Sequence, residues 1–417
     1  MRKRLIATGL VAGLLLAACG NGGDDGSDGD GPVEITFSHW AFTSPPFDRF
    51  VDIMDDFNES QDEFVVKPEN VPFENYHKTL FTQVGAGEGP TILGVDEAEF
   101  GQAMAQGLAA DLTDSVEVPS EGLNAYDERL SDEDGKRRAV VFTQHPYQLL
   151  VNRTLLDDLG KDVPTSFEEF VDVARAAKDA GMYGFAFRHS MADSNGWWID
   201  LTNWIYGRGG AWSDESGNLT IDSPEVADTV EQMKTFIDDK LIPVGTDAPT
   251  YRRMFWEGKI PMVIESLAFS SIFAAQSEDL AKGLEVHPLP FGSDRLLSIN
   301  HAAFVNNSAS DREKEGAAAF LSYMLTDEVQ QKMVDTMDGA LPAKNLEFSD
   351  ETTNNSPWLK GWTLPDTAVS FTPKGAETTF PALRSAVLEV FEKIFAGRLS
   401  VEEGLKQAQA EGEAAIG

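Results

Sequence analysis

The 417-residue chain carries 69 acidic and 33 basic residues, a formal net charge of −36 at pH 7. That balance excludes nucleic acid as a partner, because phosphate binding needs a basic surface; it also leaves a strongly solvated exterior. A single cysteine excludes an internal disulfide, so packing alone must hold the fold.

Residues 1–18 read as an export signal. Arg2, Lys3 and Arg4 form a positive start, and Leu5 to Ala17 is an uncharged apolar run. The run is shorter than the roughly 20 residues a spanning helix needs. It closes on Leu16-Ala17-Ala18-Cys19, which resembles a bacterial lipobox: small residues admit the peptidase and the thiol of Cys19 takes the lipid. An ordinary signal peptide containing a cysteine is the alternative. Two or more acyl chains would make the anchoring durable. Residues 19–31 then form the lipidated Cys19 and a flexible acidic tether of Gly, Asp, Asn and Ser, with nothing to bury. The tether lacks the bidentate Glu of a calcium loop. Residues 32–417 exceed one compact core and suit two domains.

Val33 to His39 alternates as a strand and runs into Trp40. Ser44-Pro45-Pro46 starts a helix whose apolar face is Phe47, Phe50, Met54 and Phe57. Phe64-Val65-Val66 is a second strand, and Tyr76 to Val84 a helix stopped by Gly85-Ala86-Gly87-Glu88-Gly89-Pro90. That glycine cluster follows a helix and ends in proline, so it is no dinucleotide loop. Thr91 to Val95 is a strand, followed by Asp96 and a helix ending near Gly107. Such alternation predicts a parallel sheet flanked by helices. The second part repeats it. Tyr147 to Val151 and Tyr183 to Phe187 are expected strands, and Thr165-Ser166-Phe167-Glu168 an expected capping box. A helix bearing Trp197, Trp198 and Trp204 stops at Gly207, and Ser223-Pro224 starts another. Ile260 to Ile264 is a buried strand, and Ser310 to Glu313 and Ser400 to Glu403 are further capping boxes.

These segments, in order, resemble the extracellular solute-binding proteins of ABC transporters, in the sugar-binding family that includes maltose-binding protein. The matches are an aromatic strand end at Trp40, Gly85-x-Gly-x-Gly-Pro90 before a strand ending at Asp96, and Gly107-Leu108. They continue through Leu150 to Leu156, Pro164 to Phe170, Gly209-Gly210, Phe255 to Met262, and Gly339-Ala340-Leu341-Pro342. The chain departs from the pattern at Thr91, Pro261 and Val151. The resemblance implies a two-lobed periplasmic-binding-protein-like α/β fold, each lobe a mainly parallel sheet flanked by helices, joined by hinge strands. Lobe 1 would comprise 32–143 and 302–340, and lobe 2 144–301 and 341–417. Crossings are expected near Phe142–Gln144, Asn300–Ala303 and Gly339–Ala343. The implied function is a lipid-anchored binding component of a carbohydrate ABC importer, monomeric, on the outer face of the bacterial cytoplasmic membrane. It would hand a sugar or oligosaccharide to the permease's transmembrane subunits, with no cofactor, metal or catalysis of its own.

The candidate ligand-binding residues follow from strand ends and from the resemblance. Trp40 is a stacking platform or a core ring. Asp96 is a hydroxyl-binding carboxylate, a helix cap or both, with Glu97 as its neighbour. His145 falls where the resemblance places a ligand contact, beside Tyr147. Trp197 and Trp198 fall in the aromatic stacking region, and adjacent helical residues cannot both face a cleft. Glu265 and Phe269 follow a strand, and Asn300 and His301 lie at the return crossing. Trp358, Trp362 and Phe380 are late aromatics, and Arg384 lies in a helix resembling one with a ligand-facing arginine. A polyol phosphate, peptide or polyamine as ligand is an alternative. A secreted glycoside hydrolase is another, but the eightfold barrel pattern, G-x-S-x-G and H-E-x-x-H are all absent.

Overall fold

The computed structural model describes residues 31–43, 47–132, 134–337, 340–362 and 367–417. The expected signal, lipidated Cys19, most of the tether and the Ser44–Pro46 helix start lie outside the described residues. Among the described residues no helix is long and apolar enough to cross a membrane.

Among the described residues seven strands form the framework: β1 Val33–Ser38, β2 Phe64–Glu69, β3 Ile92–Asp96, β4 Ala139–Asn152, β5 Met262–Ser266, β6 Leu284–His287 and β7 Ser298–Val305. Their order is β2-β1-β3-β7-β4-β5, with β6 also paired to β4. β1 pairs in parallel with β2 and β3, each reached through a helical crossover. β7 returns antiparallel between β3 and β4, and β5 and β6 add antiparallel to β4. The sheet is therefore mixed.

Two apolar cores sit along this framework. The first gathers Phe37, Phe50, Phe57, Phe142 and Phe320. The second gathers Phe170, Trp198, Trp204, Trp212 and Phe391, and a smaller cluster holds Tyr251, Phe255, Phe273, Leu359 and Trp362. β4 belongs to both. Its residues Ala139 to Phe142 enter the first core, while Tyr147, Leu149 and Val151 enter the second. All fourteen of its residues are buried, which is why its later half reads as an unbroken apolar run.

The three segments expected to cross between lobes lie side by side at one residue. Gln144 of β4 pairs with Asn300 of β7. On its other edge Gln144 exchanges two backbone hydrogen bonds of 2.8 Å with Leu341. A register shift between Val141 and Thr143 marks a bulge just before this point.

Local signals mostly agree with the elements formed. Ser310 caps the helix Asp311–Met324 in a complete capping box, and Ser400 caps Val401–Ile416. The first of these helices lies close on the sheet: a Cβ on Gly316 would come within 2.4 Å of Phe64 Cδ1 and 2.8 Å of Ile35 Cδ1. Two expectations need correction. Ser166, not Thr165, caps the helix Phe167–Asp179, because its side chain accepts from Glu169 N while the Glu169 carboxylate binds Thr165. Tyr183 to Phe187 is no strand: its backbone bonds go to Lys259 and to Leu241, from a loop and not from a neighbouring strand.

Candidate ligand-binding cleft

The carboxyl ends of β1 and β3 point at the seam between the two cores, beside the crossing strands. Trp40, just past β1, is half-buried, and its ring stacks on His39 at 5.0 Å. Phe47 lies 5.9 Å from it, and His301 of β7 meets it edge-on at 6.3 Å. Asp96 ends β3 and caps the helix Glu97–Ala105, accepting from Glu99 N at 3.0 Å. It remains half-buried.

The crossing strands supply the floor. Thr143, His145 and His301 share one side of the ribbon, because side chains alternate along a strand and paired residues face the same way. The Thr143 hydroxyl bridges His145 Nε2 at 3.2 Å and His301 Nδ1 at 3.1 Å. Asp96 is in register with His301, so Trp40, Asp96, His145 and His301 form one neighbourhood.

From the second lobe comes Arg384, half-buried, held by Asn195 Oδ1 and lying over the Phe380 ring at 5.3 Å. Burial pushes its guanidinium below its ordinary value, and the Asp96 charge across the seam partly restores it. β5 ends beside Tyr147, since Ser266 pairs with that residue, and Phe269, in the helix Leu267–Gln276 that follows, packs against the smaller cluster. The Arg252 guanidinium lies 3.5 Å over the Phe269 ring.

The remaining sequence candidates are placed differently. Trp197 and Trp198 are both fully buried in the second core. Trp198 stacks on Trp212 at 4.2 Å and donates to Phe371 O, and Trp197 packs on Phe395. Their helix, Ser194–Gly207, is buried on every face from Gly196 onward, so neither indole reaches the seam. Glu265 is also fully buried. Its carboxylate is taken by the Tyr251 hydroxyl at 2.6 Å and by Arg252 Nε at 2.6 Å and Nη2 at 3.2 Å. Burial alone would raise its pKa, but Arg252, together with Arg188 and the Tyr251 hydroxyl, outweighs that and holds it below the usual range. Glu265 thus orients Arg252 and has no free face for a ligand. Trp362 is buried and Trp358 partly buried in the smallest cluster, and Phe380 is core beneath Arg384.

Asn300 faces the opposite side of the ribbon from His301. There its Nδ2 donates to Glu97 Oε2 at 3.1 Å. Glu97 is buried, and its Oε1 accepts from Ser370 Oγ at 2.5 Å and Thr372 N at 2.9 Å. Next to this contact is a polar cavity of about 280 Å³, lined from both lobes by Tyr126, Arg129, Gln144, Tyr206 and Thr372, among others. The cavity escaped sequence reasoning, since it carries no local motif, and sequence reasoning offers Arg252 only beside Arg253 or Arg384, as a contributor to a phosphate-binding alternative. The pairing of Arg252 with Glu265 spans thirteen positions.

Comparison with known proteins agrees with this architecture. The family model described as bacterial extracellular solute-binding protein matches residues 52–360. An arabinooligosaccharide-binding protein of Halalkalibacterium halodurans is 23% identical over 332 residues, covering 76% of this chain and 73% of the relative. A diacetylchitobiose-binding protein of Streptomyces coelicolor is 23% identical over 364 residues, covering 82% of this chain and 83% of the relative. Among solved structures, the cyclic α-maltosyl-1,6-maltose-binding protein of Arthrobacter globiformis superposes with a TM-score of 0.80 at 22% identity. That match covers 93% of this chain and 99% of the other, and it shows the shared two-lobed fold. With the family model spanning most of the chain, from the first helix beyond the third crossing, this protein belongs to the bacterial extracellular solute-binding protein family.

Proposed function

We propose that the chain is the lipid-anchored, extracytoplasmic binding component of a carbohydrate ABC importer, taking a sugar or oligosaccharide between its lobes. The observation that carries this reading is the half-buried Trp40 ring at the end of β1, flanked by Asp96 and by the His145–His301 floor. A sugar's CH face stacks on such a ring with little entropic loss because the ring is rigid. The Asp96 carboxylate and the imidazoles then hold hydroxyls, and a ligand lacking one leaves buried polar groups unpaired. Phe269, with Arg252 fixed over it, offers a second surface from lobe 2. The names of the relatives, which bind arabino-oligosaccharides, diacetylchitobiose and a cyclic maltosyl-maltose, support a saccharide over other solutes. Lobe 1 is taken as 32–143 and 302–340 and lobe 2 as 144–301 and 341–417, closing by rotation about the crossing strands. Anchoring through Cys19 and delivery to the permease's transmembrane subunits complete the reading.

A thermal-shift screen against mono- and oligosaccharides, polyols, polyol phosphates and peptides tests it. A ligand at 100 times its Kd adds about 2.7 kcal/mol of stability. Trp40→Ala should abolish the shift without lowering the unliganded melting temperature by more than a few degrees. Asp96→Asn, which keeps the helix cap, should weaken binding. A shift produced only by peptides or polyol phosphates would replace the sugar, and consumption of the sugar would make the chain a hydrolase.

A further inference from the structure

Glu97 is a buried lobe 1 carboxyl with no part in the proposed cleft floor, and its three hydrogen-bond donors all come from the lobe 2 side. Its helix packs its later residues, Phe100 and Ala103, into the first core. Two of its three partners, Ser370 Oγ and Thr372 N, flank Phe371, which belongs to the second core. The third, Asn300, sits on crossing strand β7. The neighbouring Ala98 touches the second core, and a Cβ on Gly101 would come within 3.2 Å of Glu377 O. Here the start of the Glu97–Ala105 helix and the segment 370–377 meet face to face.

We propose that Glu97 is a clasp between the lobes, and that its proton sets how far apart they rest in the unliganded chain. When the lobes part, Ser370 and Thr372 withdraw and water reaches the carboxyl. Burial in the clasped arrangement raises the Glu97 pKa, and Arg129 and the three donated hydrogen bonds offset this only in part. In the parted arrangement the pKa falls back toward the ordinary range of about 4.3. The clasped form thus binds the proton more tightly. Lowering the pH favours it, and raising the pH through the clasped pKa favours parting.

The surrounding groups narrow the source of such a response. Arg129 and Tyr126, from segment 125–130, and Tyr206 interact electrostatically with Glu97. The arginine stays charged, and burial pushes both phenols upward, away from neutral pH. Segment 370–377 brings Lys374, at the cavity, and Glu377, beside Gly101, and the cavity wall adds Arg295, Asp214 and Glu215. Asp96 and Glu99 are on Glu97's own helix. Burial also raises Glu99, to about 7, which makes it the nearest competing titrant. His145 and His301 project from the other side of the ribbon.

The test is a distance measurement by double electron–electron resonance in the full chain carrying Cys19→Ser. Spin labels go on the exposed positions 55 in lobe 1 and 231 in lobe 2, with no ligand present. A failure of the sugar reading therefore leaves the result untouched. The wild-type side chain at 97 should give a short, narrow distribution at pH 5 and a longer, broader one at pH 8. Glu97→Gln, a neutral isostere, should keep the short distribution at both pH values, and Glu97→Ala should give the longer one at both. Glu99→Gln should retain the wild-type response. A wild-type distribution unchanged between the two pH values overturns the proposal, as does a pH response that survives in Glu97→Gln. Because Glu97→Gln preserves shape, the test does not depend on the alanine variant folding.

Discussion

Arg188 and Asp200 show how much a single buried pair can carry in a chain without disulfides. The guanidinium makes two side-chain hydrogen bonds to the carboxylate, of 2.8 and 2.6 Å, and Arg188 N adds a third at 2.6 Å. Both side chains are about 6% exposed, so neither has water to fall back on. Asp200→Asn removes the counter-charge and leaves Arg188 buried without it. The expected loss is about 3–5 kcal/mol, read from the urea midpoint at unchanged slope. Glu99 gives a second residue-scale prediction. Its carboxyl is pushed up to about 7 by burial, against the lowering effect of its bonds to Asp96. The folded pKa exceeds the unfolded one, so its stabilising contribution is complete below about pH 4.3 and is lost as pH rises through about 7. The melting temperature of Glu99→Gln should fall less than that of the native chain between pH 5 and 8.5. At this scale the position of Asp96 was legible because a strand end fixes where a residue goes, while His145, in the middle of β4, was placed by the resemblance alone. Trp197 and Trp198 were not legible: their helix is buried on every face from Gly196 onward, the polar Asp200, Thr202 and Asn203 included, so its sequence shows no single solvent face to place them by.

At the scale of elements, capping chemistry was legible and strand extent was not. Sequence reading places a strand at Tyr147 to Val151, yet β4 begins eight residues earlier, at Ala139. The polar run Thr143-Gln144-His145 and Pro146 look like an interruption. They are polar because this stretch passes between two cores, and its backbone stays paired to β7 throughout. Tyr183 to Phe187 erred the other way, since an apolar run may be buried in a loop whose bonds go elsewhere. The helix Asp311–Met324 supplies a test of element packing. Gly316→Ala would gain about 1 kcal/mol of helix propensity but must displace the Phe64 ring and Ile35 Cδ1. Overpacking of this kind costs about 1–3 kcal/mol. The melting temperature should therefore drop; a rise would mean that the helix lifts from the sheet freely.

For the whole molecule, two cores and three crossings make relative rotation of the lobes the motion that ligand capture would use. A saccharide that raises the melting temperature should also reduce the radius of gyration in small-angle scattering. An unchanged radius with a raised melting temperature would place the ligand on one lobe. The overall architecture was legible because its short motifs recur in one order across the chain. The cavity beside Thr372 was not, since it is assembled from segments 125–130, 206–215, 295–300 and 368–374, which meet only in the folded chain.

The junction at Gln144 has a mechanical consequence. Where β7, β4 and Leu341 lie abreast, the connection between the lobes is a hydrogen-bonded ribbon and not a set of slack loops. A ribbon of this kind stores elastic energy when twisted and releases it on return, like a torsion bar. Any rotation must be spread over the few residues around the bulge at Val141–Thr143, so its amplitude is bounded and its path is nearly fixed. The lobes should recoil along the same arc each time, and a chain with residues inserted at the junction would lose that restoring torque before it lost either core.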